Sequence, residues 1–140
     1  MSLKERADQM VEEFAMFDDW LDKYNYIIEL GKSLPPIDPK YKNPTYLISG
    51  CQSQVWVHAA LENGQVIFTG DSDALITKGI AAILIRVISD NTPDEILDDD
   101  FGFIDRLGLK EHLSPTRSNG LMSMMKQMKL YAMAFKMKQG

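Results

Sequence analysis

Hydrophobic positions follow helical spacing at the start of the chain. Apolar residues recur every three or four positions over residues 3–14 and again over residues 20–28. This spacing places them on one face of an amphipathic helix. Ser2 and Glu5 form a capping-box pattern, in which each side chain bonds to the backbone amide of the other. The pattern predicts two N-terminal helices, and Gly31 is placed to end the second.

A strand pattern replaces helical spacing in the middle of the chain. Apolar residues occupy every second position over residues 54–62 and again over residues 65–69. Asn63-Gly64 between them is the strongest two-residue hairpin signal, because both positions of the turn need positive φ. A short β-prone run over residues 45–48 precedes the hairpin. We therefore predict an antiparallel sheet of about three strands.

Helical spacing returns after the hairpin. Residues 74–89 are apolar nearly all round, which predicts a helix buried at the centre of the fold. A second capping box begins at Thr92, and Ser114-Pro115 begins the last helix in the same manner. Six of the nine methionines lie in that last helix. The order of elements predicts a single α+β domain over residues 1–140, with helices packed on one face of the sheet.

Composition and charge narrow the class of protein. With 140 residues, the chain is the size of one ordinary domain. Its net charge of −5 argues against nucleic acid as a partner, because phosphate binding needs a basic face. We find no signal-peptide pattern and no apolar stretch long enough to span a membrane. The sequence thus predicts a cytoplasmic protein without a membrane partner.

Cys51 is the only cysteine in the chain. One thiol cannot form an internal disulfide, nor supply the ligands of a structural zinc or iron–sulfur site. Gly50 before it and Gln52-Ser53 after it are loop-forming residues. Functional side chains concentrate on loops that rigid elements hold in place. We expect Cys51 to be accessible and either to carry a group covalently or to react as a nucleophile.

A reactive thiol needs something to stabilise its thiolate. The candidates are the Arg117 guanidinium, the free amides at the start of the last helix or of the helix after Asp73, and the imidazoles of His58 and His112. A stand-alone cysteine hydrolase or thiol transferase would require one of these histidines beside Cys51. A third possibility is a non-catalytic interaction module with an inert cysteine. The absence of an evident general base favours a thiol or sulfur carrier.

Three segments together resemble the SufE family of sulfur-acceptor proteins. Residues 48–56, ISGCQSQVW, match the family's Gly-Cys-x-Ser-x-Val-Trp signature. Residues 70–79, GDSDALITKG, are similar to its Ser-Asp-Ala and Lys-Gly stretch. Residues 113–121, LSPTRSNGL, are similar to its Leu-x-Pro-[Ser/Thr]-Arg-x-x-Gly-Leu helix start. The order and spacing of the segments agree with the family over about residues 20–132.

The resemblance implies a specific function. SufE proteins accept sulfane sulfur from a pyridoxal-phosphate cysteine desulfurase, stimulate that enzyme, and pass the sulfur to a cluster scaffold. Cys51 would become the persulfide, the partner would be a SufS-type or CsdA-type desulfurase, and the recipient a SufBCD-type complex. Pyridoxal phosphate would belong to the desulfurase, and this chain would bind no cofactor or metal. The implied fold is like that of the IscU scaffold, and the protein would be an accessory to the desulfurase rather than a stand-alone enzyme.

The resemblance also implies supporting residues around Cys51. Arg117 would stabilise the anionic sulfur or contact the desulfurase; alternatively it would form an ion pair with Asp71 or Asp73 that ties two helix starts together. The flexibility of Gly50 would let the cysteine loop move outward. The full set of supporting or partner-binding residues is Gly50, Gln52, Ser53, Trp56, Asp73 and Arg117.

Overall fold

The computed structural model describes residues 1–139, so the predicted domain end at Gly140 lies outside the described residues. Helices pack against a two-stranded antiparallel sheet, which confirms the predicted α+β class. The strands are β1 (Val55–Glu62) and β2 (Gln65–Ser72). The helices are α1 (Leu3–Ala15), α2 (Trp20–Lys32), α3 (Leu75–Ile88), α4 (Pro93–Asp98), α5 (Phe103–Leu107), α6 (Leu109–His112) and α7 (Pro115–Gln139), with a short 3-10 helix at Pro39–Tyr41.

The hairpin forms at the predicted turn. Glu62 pairs with Gln65, and Asn63 and Gly64 between them have φ of 52° and 79°. These angles are the positive values that a two-residue turn requires. Alternate side chains of both strands are buried on the face that meets α3 and α7.

The sheet has two strands in the described part of the chain, where the sequence predicts about three. The run over residues 45–48 makes only one bridge, between Leu47 and Trp56. Pro44 cannot donate to a ladder, and Gly50 turns the chain away with a φ of 86°. The segment between them is therefore too short to become a full strand.

Helix α3 is the buried centre of the molecule, as its apolar sequence predicts. It crosses α2 where Gly79 meets Ile27, so closely that a Cβ on Gly79 would lie 2.2 Å from the Ile27 carbonyl oxygen. Gly31 belongs to the same crossing: a Cβ there would lie 2.8 Å from the Gly79 nitrogen. The prediction that Gly31 ends α2 is wrong, because this glycine permits helix contact and α2 continues to Lys32.

Helix α7 completes the core along one of its sides. Its inner stripe is buried at Leu121, Met124, Met125, Met128 and Ala132. Tyr131 also fastens α7 to the sheet, since its hydroxyl donates to the Val57 carbonyl oxygen over 2.9 Å. None of the helices within residues 1–139 combines the length and the apolar character that crossing a bilayer would demand.

Candidate functional site

Cys51 lies in a loop of residues 49–54 that leads into β1, as predicted. The Ile48 amide donates to the Val55 carbonyl oxygen over 2.8 Å and closes the loop at its base. We call residues 49–54 the Cys51 loop. Within it, residues 50–52 form the loop tip, and Ser53 with Gln54 forms the loop stem.

Side chains at the start of α3 anchor the loop stem. The Gln54 amide donates to Asp73 Oδ1 over 3.0 Å, and the Gln54 carbonyl accepts from the Ser72 hydroxyl over 2.8 Å. The Ser53 hydroxyl donates to Thr77 Oγ1 over 3.2 Å. Residues 70–73, GDSD, are of the types that commonly cap a helix, yet α3 begins after Ala74 without a side-chain cap. Asp73 instead holds the stem, and the Ser72 hydroxyl serves both the stem and the Ala74 amide.

The loop tip rests on the first turns of α7. Gly50 approaches so closely that a Cβ there would lie 2.9 Å from Ser123 Oγ. A Cβ on Gly120 would lie 3.3 Å from Cys51 Sγ, so the helix backbone at this point forms the floor beneath the thiol. The Cys51 thiol donates a weak hydrogen bond to the Gly120 carbonyl oxygen, with 3.8 Å between sulfur and oxygen.

The surroundings of Cys51 favour the neutral thiol. Burial raises the pKa of the Cys51 thiol above its ordinary value. Among residues 1–139, no cation, imidazole or backbone amide donates a hydrogen bond to its sulfur. The Gly120 carbonyl oxygen accepts a hydrogen bond from S–H but would repel a thiolate. The thiol that we expected to be accessible is half-buried, and its surroundings disfavour the thiolate.

Arg117 lies on the exposed first turn of α7, three residues before Gly120. Its guanidinium forms no ion pair or hydrogen bond within the described residues. The alternative in which Arg117 pairs with Asp71 or Asp73 is wrong, because Asp71 is bound by Lys42 at 2.8 Å and Lys78 at 3.4 Å.

The Asp71 carboxyl is held as a carboxylate. Burial is the largest single influence and would raise its pKa, but the hydrogen bond from Lys42, the Ser72 amide and the charges of Lys78 and Lys42 together outweigh it. The net result is a pKa below the usual range for aspartate. Lys42 therefore spans two residues of the sheet, since its ammonium also lies 5.3 Å from the centre of the Trp56 ring.

Both histidines are engaged in aromatic stacks away from the thiol. The His58 ring stacks on Tyr41 with 3.5 Å between ring centres, and the His112 ring stacks on Trp20 with 3.8 Å. His112 Nδ1 also lies 3.0 Å from the Gly108 carbonyl oxygen. The general base that a stand-alone cysteine hydrolase requires is therefore not beside Cys51.

Two further predicted site residues, Gln52 and Trp56, differ in their exposure to solvent. Gln52 is exposed at the loop tip, whereas Trp56 is half-buried under Lys42.

Sequence reasoning missed Thr77, Gly120 and Ser123, which complete the site. The signal available for Gly120 was a glycine inside a helix, which costs stability unless close packing requires it. Within residues 1–139 there is no cluster of three or more side chains suited to hold a metal ion.

Two comparisons place this geometry among known proteins. The family model for SufE, described as the Fe-S metabolism associated domain, matches residues 8–132. A solution structure of a hypothetical protein from Thermus thermophilus is similar in fold, with a TM-score of 0.77 over 92% of this chain and 94% of that one. The two sequences are 24% identical, so this likeness concerns the fold.

Proposed function

The chain belongs to the SufE family, whose domain is associated with iron–sulfur metabolism, and we propose that it accepts sulfur from a cysteine desulfurase on Cys51. The observation that carries this proposal is the placement of the only thiol. Cys51 lies at a loop tip that is held by weak contacts, on a stem that is anchored by hydrogen bonds. A side chain so placed can leave its shelter and reach into a partner while the fold stays intact.

The reaction is an exchange at sulfur. The Cys51 thiolate attacks the terminal sulfur of a persulfide on the desulfurase, and a new sulfur–sulfur bond forms at Cys51. The old sulfur–sulfur bond breaks, and the desulfurase cysteine leaves as a thiolate that takes up the proton released by Cys51. One sulfur atom moves without net oxidation or reduction. Pyridoxal phosphate stays on the desulfurase, where the sulfur is first released from free cysteine.

The reaction requires the loop tip to leave α7. In the resting position burial raises the Cys51 pKa, and the adjacent carbonyl oxygen disfavours a thiolate. Docking to a SufS-type or CsdA-type desulfurase would replace these surroundings with donors from the partner. Arg117 is exposed close to the tip and would contribute a positive charge to that joint site. Gln52 and Trp56 would contact the partner on either side of the sulfur.

The loaded protein would then deliver its sulfur to a cluster scaffold of the SufBCD type by the same exchange. Transfer drains the persulfide from the desulfurase and therefore speeds its turnover. The chain acts in this scheme as a carrier and activator. A stand-alone hydrolase is disfavoured because neither histidine lies beside the thiol.

Intact-mass spectrometry tests the proposal. The protein is mixed with a SufS-type desulfurase and free cysteine, and its mass is recorded before and after reduction. We expect a gain of one sulfur atom that maps to Cys51 and disappears on reduction. Cys51→Ser should show no gain while keeping the far-ultraviolet circular dichroism of the parent, since a half-buried hydroxyl replaces a thiol of similar shape.

The matched control separates a wrong partner from a wrong function. Iodoacetamide labelling of Cys51 in the same sample shows that the thiol is present and reduced. A labelable thiol that gains no sulfur from either an active SufS-type or an active CsdA-type desulfurase would overturn the proposal.

A further inference from the structure

A cavity lies at the end of α3 that is distant from the Cys51 loop. The loop stem is anchored at the start of α3, whereas Ile85, Arg86 and Ser89 line the cavity at the other end of the helix. Because α3 has 14 residues, the two places are about 20 Å apart. The cavity has a volume of about 610 Å³, and small-molecule sites commonly have roughly 300–1,000 Å³. It is therefore large enough for a small molecule and separate from the thiol.

The bed of the cavity is apolar. Side chains from β2, from α3 and from the segment after α2 form it, namely Leu34, Pro35, Ile67, Phe68 and Ile85. Arg86 lines the same wall, but its charge is already compensated, because its guanidinium donates to both carboxylate oxygens of Glu13. This part of the cavity therefore offers an apolar surface to a ligand and no free charge.

Arg6 brings a positive charge to the cavity in a fixed position. Its guanidinium donates to the Ser89 carbonyl oxygen, and a second nitrogen lies 3.5 Å from the Asp90 carbonyl oxygen. Both acceptors are held by β2: the Asp90 amide donates to the Val66 carbonyl oxygen over 2.9 Å. The Ser89 hydroxyl accepts from the Phe68 amide over 2.9 Å. A guanidinium has five N–H donors, so donors of Arg6 remain for a carboxylate, whose shape matches the planar fork.

Asp90 brings a negative charge to the same cavity. Its backbone has a φ of 61°, in the left-handed region that aspartate and asparagine tolerate better than most residues. Within residues 1–139, neither the Arg6 guanidinium nor the Asp90 carboxylate forms an ion pair, with each other or with another side chain. The cavity thus combines one uncompensated cation, one uncompensated anion and an apolar bed.

We propose that this cavity binds a zwitterionic α-amino acid with a large apolar side chain. The ligand carboxylate accepts hydrogen bonds from Arg6, and the ligand ammonium donates to the Asp90 carboxylate. The ligand side chain lies on the apolar bed, where Phe68 and Ile85 contact it. A ligand with only a negative charge would meet Asp90 as well as Arg6, and an uncharged ligand would leave both charges uncompensated. The charges of both signs therefore select a zwitterion.

Titration with L-phenylalanine, followed by two-dimensional NMR of the nitrogen-15-labelled protein, tests the proposal. We expect saturable shifts of the Thr69 and Asp90 amide signals, with a Kd of about 1 mM or lower, and unchanged signals from Gln52 in the Cys51 loop. Two analogues test each charge in the parent protein. N-acetyl-L-phenylalanine lacks the ammonium and L-phenylalaninamide lacks the carboxylate, and each should bind about tenfold more weakly or less.

Two variants test the partners on the protein. Arg6→Gln removes the cation, and Asp90→Asn removes the anion while keeping a residue that tolerates the positive φ. Each should weaken the binding of L-phenylalanine about tenfold or more. Arg106→Gln is the matched control, because Arg106 also ties α1 to the rest of the chain, through Asp8 over 2.7 Å, but does not line the cavity. Circular dichroism checks the folding of each variant.

Three results would each overturn the proposal. The first is the absence of saturable shifts at about 10 mM L-phenylalanine, ten times the expected Kd. The second is equal binding of L-phenylalanine and either analogue, which would show that only one of its two charges is recognised. The third is unchanged binding in folded Arg6→Gln or folded Asp90→Asn. The first two use the parent protein, so they decide the question even where a variant does not fold.

Discussion

The stem and the tip of the Cys51 loop are adjacent in sequence but held in different ways. The stem is tied to the start of α3 by four hydrogen bonds, with donor–acceptor distances between 2.8 and 3.2 Å. The tip has one weak sulfur–oxygen contact of 3.8 Å and close packing against the backbone and a hydroxyl of α7. The stem therefore sets where the loop begins, and the tip can separate from α7 at low cost.

This difference shows how a small fold can fix the position of a thiol and still allow it to move. Bonds to the stem hold the base of the loop, and with it Cys51, close to the start of β1. The weak tip contact keeps the thiol sheltered until a better environment is offered. A loop anchored throughout would hold the sulfur out of reach, and a loop anchored nowhere would have a larger ordering cost on binding.

Removing the stem anchor should have the largest effect. Asp73→Ala deletes the acceptor of the Gln54 amide, and we expect a loss of about 1 kcal/mol in the free energy of unfolding. We also expect faster hydrogen exchange over residues 52–54, measured by mass spectrometry. Asp73→Asn keeps an oxygen at the same place and is the matched control. Equal exchange in the alanine variant and the parent would show that the stem is not held by this bond.

A change beneath the tip should act on the thiol and spare the fold. Gly120→Ala places a methyl group 3.3 Å from Cys51 Sγ, so the sulfur must shift by a few tenths of an ångström and its resting contact with α7 is weakened. We expect iodoacetamide to label Cys51 several-fold faster, with a melting temperature equal to or above that of the parent, because alanine favours the helix by up to about 1 kcal/mol. Asn119→Ala changes helix propensity one position away and should leave the labelling rate unchanged. A labelling rate that does not respond to Gly120→Ala would contradict the resting contact.

The smallest expected effect is a displaced pH profile. Because burial raises the Cys51 pKa in the folded protein, its alkylation rate should rise at higher pH than in the urea-unfolded chain. The buried thiol also makes the free energy of unfolding depend on pH. The fold favours the neutral thiol, so the stabilisation from Cys51 is fully present below the pKa of the unfolded chain and is lost as pH rises through the pKa of the folded protein. In Gly120→Ala the profile should move back toward that of the unfolded chain. Coincident profiles for folded and unfolded parent would remove the case for a sheltered tip.

Local patterns account for much of the fold. The Asn63-Gly64 turn, the capping boxes and the apolar character of α3 are each decided by neighbours in sequence, and each is confirmed. The prediction for Gly31 fails because the reason for a glycine there is Gly79, which lies 48 positions away. The predicted number of strands is too high, because the β-prone character of residues 45–48 does not reveal that the chain turns away at Gly50 before a full strand can form.

The sequence predicted Cys51 at the centre of the site, but it did not predict the residues that surround the thiol. Cys51 and its loop follow from one motif. The contact that determines the state of the thiol comes from Gly120, 69 residues further along, and spacing alone does not show which helix the tip rests on. The same limit applies to Arg117, whose exposure and lack of an acidic partner in the described chain depend on Lys42 and Lys78 occupying Asp71.

The carbonyl oxygen of Gly120 affects how readily Cys51 is oxidised. Peroxides oxidise thiolates to sulfenic acid and then, irreversibly, to sulfinic and sulfonic acids. A cysteine kept as S–H beside a carbonyl oxygen presents little thiolate to such oxidants between encounters. The contact that keeps Cys51 as S–H thus limits the irreversible oxidation of the only thiol in the chain.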